Sequence, residues 1–324
     1  MSLTVRKYES KDKALWNQFV TTAKNATFLF NRDFMDYHSD RFEDFSLLVF
    51  KDDKLVSIIP ANRKDTIVYS HQGLTYGGII TTHKTKLKEF IEIFRSVLFY
   101  LHQYGINSFE IKLLPSFFAT QASDEIEFAL FCAAAETTRC DTYAVLDMQT
   151  PFSFSKGRNE GIKRGIKLDL VVLEENDLRS FWEILLVPVL WEKHGAQPVH
   201  SIEEIALLKE TFPDNIRQFN VYQNNKLVAG TTIFETSKVA HSQYIAADHT
   251  KNTNGSLDFL HNHLIKNVFR YKNYFDFGTF NRGNGTEVNS GLGFWKQSFG
   301  AQIHTQNFYS VKTENYNRLD SVFI

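Results

Sequence analysis

Residues 156–167 read KGRNEGIKRGIK and hold five cations, Lys156, Arg158, Lys163, Arg164 and Lys167, against one carboxylate, Glu160. Such a stretch is either a face that binds phosphates or the solvated face of a helix. Its cations, Arg158 among them, could hold phosphates of coenzyme A, of a nucleotide-linked acceptor or of a tRNA end. Residues 251–257, KNTNGSL, lie between an expected strand and an expected helix. A glycine there lets an anion approach helix N-terminal amides; equally, Asn254-Gly255 is a turn with Ser256 as its cap. Asp276 sits in YFDFG with Phe275 and Phe277 on the opposite face of a strand. A lone acid in that position can serve as a general base. Glu110 occupies the matching place in NSFEI, which argues instead for a structural role of both acids. In SHQGLTYGG (70–78), His71 can bond an acceptor hydroxyl, and Tyr76, Gly77 and Gly78 close the segment. Paired glycines admit either a ligand or another stretch of backbone.

Other residues invite chemistry that their spacing refuses. His261 and His263 stand two apart and do not share a helix face, so no metal site is assigned. The two cysteines, Cys132 and Cys140, can make neither a disulfide framework nor a four-ligand zinc site.

Candidate residues need elements to hold them, and the chain carries its elements twice. VFKDDKLVS (49–57) and VYQNNKLVA (221–229) each read as strand, two-residue polar turn and strand. NSFEI (107–111) and NYFDF (273–277) form a second matching pair. A helix precedes each: Leu87, Phe90, Ile91, Phe94, Leu98 and Leu101 recur at helical spacing, as do Leu257, Leu260, Leu264, Ile265 and Val268. A further strand is expected between hairpin and helix, around 69–80 and 239–247. Each half also opens with helices, through Trp16 and Phe19 and through Leu178 to Leu186, the latter ended or kinked near Pro188. The order hairpin, strand, helix, strand predicts two similar α/β domains with mixed sheets, 1–152 and 153–324.

Composition bounds what these domains do. Lys and Arg number 36 against 37 Asp and Glu, a net charge of −1, so no global field holds nucleic acid and DNA is not an expected partner. Aromatic residues make up 15%, with 30 Phe, which calls for a large packed core. The first residues, MSLTVRKYESKDK, hold no apolar signal core. The most apolar later run, Trp182 to Trp191, contains Glu183 and Pro188 and is too short to span a bilayer. A cytoplasmic protein without an integral membrane segment is expected.

Hairpin, strand, phosphate-facing loop, helix, strand is also the core order of the GCN5-related N-acetyltransferases (GNAT), and two such units in one chain resemble the Fem-type (FemABX-like) acyltransferases. SHQGLTYGG (70–78), KHGAQPVHSIEEIALLKETFPDNI (193–216), YFDFG (274–278) and NSGLGFWKQSFGA (289–301) carry that resemblance. It implies two tandem GNAT-like domains facing across a cleft, the first on the acceptor side and the second on the acyl-donor side. It implies a transferase that moves an acyl group from acetyl-CoA or another acyl-CoA to an amine of an amino sugar, an amino acid or a cell-envelope precursor. A charged tRNA as donor for a peptidoglycan peptide, and a non-catalytic binding module, are the alternatives.

The resemblance also distributes roles. GNAT proteins hold the coenzyme pyrophosphate at the junction occupied here by Lys251, Asn254, Gly255, Ser256 and Leu257, in a degenerate form; HKTKLKEF (83–90) in the first half has no glycine there. His71, Tyr76, Gly77, Asn289 and Arg158 become acceptor-side candidates. GNAT proteins often follow an Asn by a Tyr two helical turns later; Asn289 is followed at that distance by Lys296. Fem-like proteins place a Phe/Trp-Lys pair at this point, and Trp295-Lys296 matches. Such a lysine is a cation beside a developing oxyanion, or an acid once its pKa is lowered; as a bland surface residue it would merely flank a buried Trp. Lys296 and Asp276 are the catalytic candidates. Val288, Leu292, Trp295 and Phe299 are expected to face the core, with Lys296 at the border of their stripe.

Overall fold

The structure, a computed structural model, describes residues 3–324 apart from the side chain of His194. The chain divides into two units: Met1–Asp141, Asn284–Thr286 and Thr305–Ile324 form the first, Thr142–Gly283 and Glu287–His304 the second. The expected division at 152/153 therefore misplaces the C-terminal segment, which packs within the first unit.

Unit 1 runs through β1 (Leu3–Lys7), α1 (Lys13–Thr22), β2 (Glu43–Asp44), β3 (Leu47–Lys51), β4 (Lys54–Ile59), β5 (Asn62–Lys64), β6 (Ile67–Tyr69), β7 (Ile80–Thr81), α2 (Leu87–Gln103) and β8 (Ser108–Lys112). One sheet has the order β1-β3-β4-β7. In the other, β6 runs parallel to β8 and pairs with β5, which pairs with β2. The single strand expected over 69–80 is two short strands, because the chain turns at His71, whose φ is +65°. The apolar stripe of α2, from Phe90 and Ile91 to Leu101, is buried against Phe109 and Ile111 of β8.

Unit 2 contains the second half of β9 (Glu136–Asp147), α3 (Lys156–Lys167), β10 (Val171–Glu175), α4 (Val187–His194), α5 (Ile202–Thr211), β11 (Ile216–Gln223), β12 (Lys226–Glu235), β13 (Val239–Ala247), α6 (Ser256–His263), β14 (Tyr274–Thr279) and α7 (Ser290–Gln297). Its strands pair in the order β10-β11-β12-β13-β14-β9, with β13 and β14 parallel. Leu260, Leu264, Ile265 and Phe269 pack on Phe275, Phe277 and Phe299 to form its core. The last strand, β15 (Gln302–Lys312), pairs antiparallel with β8 of unit 1 through Phe308–Lys312. No helix among the described residues is long and apolar enough to cross a membrane.

The repeat seen in the sequence is physical. Asp52 and Asp53 have φ of +46° and +63°, and Asn224 and Asn225 have +50° and +62°. Left-handed values at both turn residues suit the right-handed twist of a two-residue hairpin, and Asp and Asn bear them better than most side chains. Each hairpin then carries the same irregularity. Val49 pairs with Ser57 and Phe50 with Leu55, leaving Val56 over; Val221 pairs with Ala229 and Tyr222 with Leu227, leaving Val228 over.

The turn conformation is testable. Asn225→Val places a β-branched residue at φ +62° and should lower stability by about 1–2 kcal/mol in urea denaturation, whereas Asn225→Gly should leave it equal or slightly higher. Equal stability of the Val and Gly variants would contradict the turn.

Candidate functional site

The parallel ladder between β13 and β14 lasts from Val239/Tyr274 to His241/Asp276 and then ends. Just beyond, Ser242 pairs with Ile233 and Tyr244 with Thr232, so Gln243 is an extra residue in β13. β14 has its own irregularity between Asp276 and Thr279 against β9. Two bulges at one level part the strands, a common way to re-aim side chains at a site.

Asp276 lies at the parting point with no solvent exposure. Its Oδ1 accepts the Gly278 N–H at 2.7 Å, and its Oδ2 lies 2.7 Å from His241 Nδ1. Gly278 has φ +72°, a value glycine adopts freely, and this turns its carbonyl toward α7. Lys296 Nζ donates to Gly278 O at 3.0 Å and to Thr279 O at 2.8 Å. Lys296 is only 4% exposed. Burial pushes its ammonium down to about 8, with the Asp276 charge opposing part of that shift.

This arrangement has defined chemistry. His241 Nδ1 faces a carboxylate oxygen and donates to it, which leaves Nε2 as the other hydrogen-bonding position of the ring. That nitrogen lies 3.1 Å from Gln243 Oε1. The lysine has three donors, of which main-chain carbonyls take two. Asp276, His241 and Lys296 thus combine an oriented imidazole with a cation whose proton is held less tightly than usual.

His241 and Gln243 were not among the residues singled out from the sequence. The available signal was register: the repeat that pairs Asp276 with Glu110 also places His241 where unit 1 has Tyr69.

Other candidates are placed elsewhere. Asn289 accepts from Leu292 N–H at 3.0 Å and caps α7, the helix that carries Lys296. The stripe expected on α7 is not buried as a stripe: Val288 and Leu292 are exposed, Phe299 is buried, and Lys296 itself takes an inward position. Gly293 allows this, since its open side packs on the Phe280 ring. Trp295 donates from its indole N–H to Asp258 Oδ1 at 3.3 Å and packs edge-on against His261, Phe277 and Phe299.

Three amides of the expected anion cradle at 251–257 are engaged within the chain. Asn254 N–H donates to Thr250 O, Gly255 N–H to Lys251 O, and Ser256 N–H to Asn254 Oδ1. Gly255 is left-handed, and a side chain there would overlap the carbonyl of Gly161 in α3; its close approach is to the protein's own backbone. Leu257 packs on the core of unit 2. Lys251 is different. Burial lowers its pKa, and the charge of Lys193 lowers it further, so two ammonium groups are neighbours. Arg158, expected on the acceptor side, is bound to Asp258 at 2.5 Å, and burial still lifts the pKa of that carboxyl. Lys156, Lys163, Arg164 and Lys167 of α3 stay exposed.

In unit 1, Tyr76 is buried, donates to Thr27 Oγ1 at 3.0 Å and packs on Phe30 and Phe118, so it belongs to the core. Gly77 lies against the Ser70 carbonyl and donates to Lys112 O at 2.7 Å; its missing side chain admits backbone, not a ligand. His71 lines a cavity.

Lys296 makes stability depend on pH. Between about 8 and 10.5 the unfolded chain holds the lysine proton and the native state does not, so stability rises with pH across that window. Below it, keeping the buried ammonium costs on the order of 3 kcal/mol. Urea denaturation from pH 7 to 10.5 should show wild type gaining stability relative to Lys296→Met as pH rises; a constant difference would contradict the burial.

No protein-family model matches this sequence, and no curated protein does. Solved structures do match. A crystal structure of FemX covers 98% of this chain and 99% of its own at 10% identity, with a TM-score of 0.68. L-PGS from Bacillus licheniformis covers 97% of this chain and 95% of its own at 10% identity, TM-score 0.59. A tandem GNAT protein from the clavulanic acid biosynthesis pathway covers 96% and 99% at 12% identity, TM-score 0.53. The chain has the tandem GNAT-like α/β fold and resembles Fem-type proteins along its whole length.

Proposed function

We propose that the protein is an acyltransferase that moves an activated acyl group onto an amine, with the chemistry at Asp276, His241 and Lys296 of unit 2. The observation that carries this reading is the buried Lys296 beside the Asp276–His241 pair where β13 and β14 part. The acceptor nitrogen attacks the acyl carbon, and the C–N bond forms as the C–O or C–S bond to the carrier breaks. The proton lost by the amine passes to His241 Nε2, which Asp276 orients through Nδ1; for this the Gln243 amide, 3.1 Å away, presents its NH2 rather than its oxygen to that nitrogen. Lys296 stabilises the oxyanion and gives a proton to the leaving oxygen or sulfur, a task suited to an ammonium with a pKa of about 8. The acceptor is an amine of a small molecule, an amino acid, an amino sugar or an envelope precursor.

The donor is the finer question. An acyl-CoA donor is expected from the family resemblance, but the amides that would cradle its pyrophosphate are engaged within the chain at 254–256. The exposed cations of α3 and the Lys193–Lys251 pair favour a phosphodiester-borne donor, an aminoacyl ester on tRNA. Calorimetry with acetyl-CoA and with aminoacyl-tRNA decides between them. Micromolar binding of the charged tRNA, weakened by salt and by Lys163→Glu with Lys167→Glu, is the expected result. Binding of acetyl-CoA that Gly255→Pro abolishes would restore the coenzyme reading.

Two variants test the chemistry with whichever donor binds. Lys296→Met should lower kcat on the order of 10²–10³-fold with little change in donor affinity. Asp276→Asn should lower kcat as well and leave donor binding intact. Near-normal turnover by Lys296→Met would remove the assignment, and binding of both donors without turnover of any amine would favour a non-catalytic module.

A further inference from the structure

In unit 1 the parallel pair β6–β8 also ends early, at Tyr69/Glu110. Beyond it lies a cavity of about 310 Å³, lined among others by Tyr69, His71, Glu110, Lys112, Phe308 and Tyr309. A volume near the lower end of small-molecule pockets, about 300–1,000 Å³, suits one small ligand.

The polar groups of this cavity are arranged in opposition. Glu110 and Lys112 are two apart on β8 and project from the same face, about 6.6 Å apart along the strand. Glu110 Oε1 accepts from Ser310 Oγ at 2.6 Å, which leaves its other oxygen for a ligand. Lys112 Nζ donates to Gln72 O at 3.1 Å and to Leu74 O, two of its three donors. No carboxylate within ion-pair distance of Lys112 occurs among the described contacts. Burial pushes its ammonium down to about 7, with Arg139 adding to the shift, so an arriving anion would relieve an unfavourable charge. His71 is 5% exposed with Nδ1 unpartnered, and burial holds its ring neutral, down to about 3. Tyr69, Phe308 and Tyr309 supply aromatic wall between these polar points.

We propose that this cavity is a binding site for a small zwitterion of the α-amino-acid type, its ammonium on Glu110 and its carboxylate on Lys112, with its side chain against the aromatic wall. An α-amino acid carries its two charges close enough together to span neighbouring positions on one strand face. A plain carboxylic acid or a plain amine satisfies only one end and leaves the other group unpaired, which costs affinity. The inference does not rest on the acyl-transfer reading, since it concerns binding by unit 1 alone.

Titration calorimetry of the full chain with the protein amino acids, each beside its deaminated and decarboxylated analogues, tests it. At least one amino acid should bind ten-fold or more tightly than both of its analogues. Glu110→Gln and Lys112→Met should each weaken that binding ten-fold or more, and Lys296→Met should not change it. A second readout needs no variant. At pH 8 binding should take up close to one proton, seen as a heat that varies with the buffer's ionisation enthalpy. Lys112 is the group responsible; it is met by Glu110 on its own strand, His71 in the adjoining loop, Arg139 on β9 and Tyr309 on β15. Absence of binding by every amino acid, analogues that bind as well, or binding untouched by both substitutions would overturn the proposal.

Discussion

An ammonium that is 4% exposed must be solvated by the protein itself, and the floor of unit 2 follows from that requirement. Lys296 is solvated by the carbonyls of Gly278 and Thr279. Those carbonyls point at it only because β14 leaves its ladder after Asp276 and Gly278 turns left-handed. The turn is held by Asp276 Oδ1 on the Gly278 amide, and this fixes the carboxylate whose other oxygen orients His241. Remove the lysine and the carbonyls lose their donor; remove the carboxylate and both the turn and the imidazole lose their anchor. The buried cation, the left-handed Gly278 and the oriented imidazole are therefore parts of one arrangement.

The two units show how one framework carries different side chains at matching positions. Both have the bulged hairpin, a helix on the sheet, and a parallel strand pair that ends at an acid. In unit 2 the acid faces a histidine across the ladder and is followed two residues later by the glycine that receives Lys296. In unit 1 the acid faces Tyr69, and the residue two later is Lys112. Unit 1 carries a lysine on the strand itself, Lys112, whereas the lysine of unit 2 comes from α7.

Much of the framework was legible in the sequence because it is written in local pattern. Asp52-Asp53 and Asn224-Asn225 announce turns through residues that tolerate positive φ, and helical spacing marks α2. Asp276 and Lys296 were legible as candidates from their residue types and from family resemblance. Their mutual geometry was not, because it depends on bulges, and a bulge has no strong sequence mark. For the same reason Gln243 passed unnoticed. The segment around Gly255 shows the opposite failure. Its glycine does permit close approach, but the partner is Gly161, distant in the chain, and no local pattern discloses which backbone arrives. Tyr76 and Arg158 likewise have interior partners, Thr27 and Asp258, that only the tertiary fold reveals. The C-terminal segment belongs to unit 1, an excursion that sequence order hides.

The central claim is that Lys296 is a buried cation poised beside Asp276. Its most direct test is NMR titration of the Lys296 side chain, labelled at Cε and Nζ, in wild type and in Asp276→Asn. The account predicts a pKa of about 8 in wild type, falling further once the carboxylate charge that opposes the shift is removed. An ordinary lysine value near 10.5 that does not respond to Asp276→Asn would contradict it.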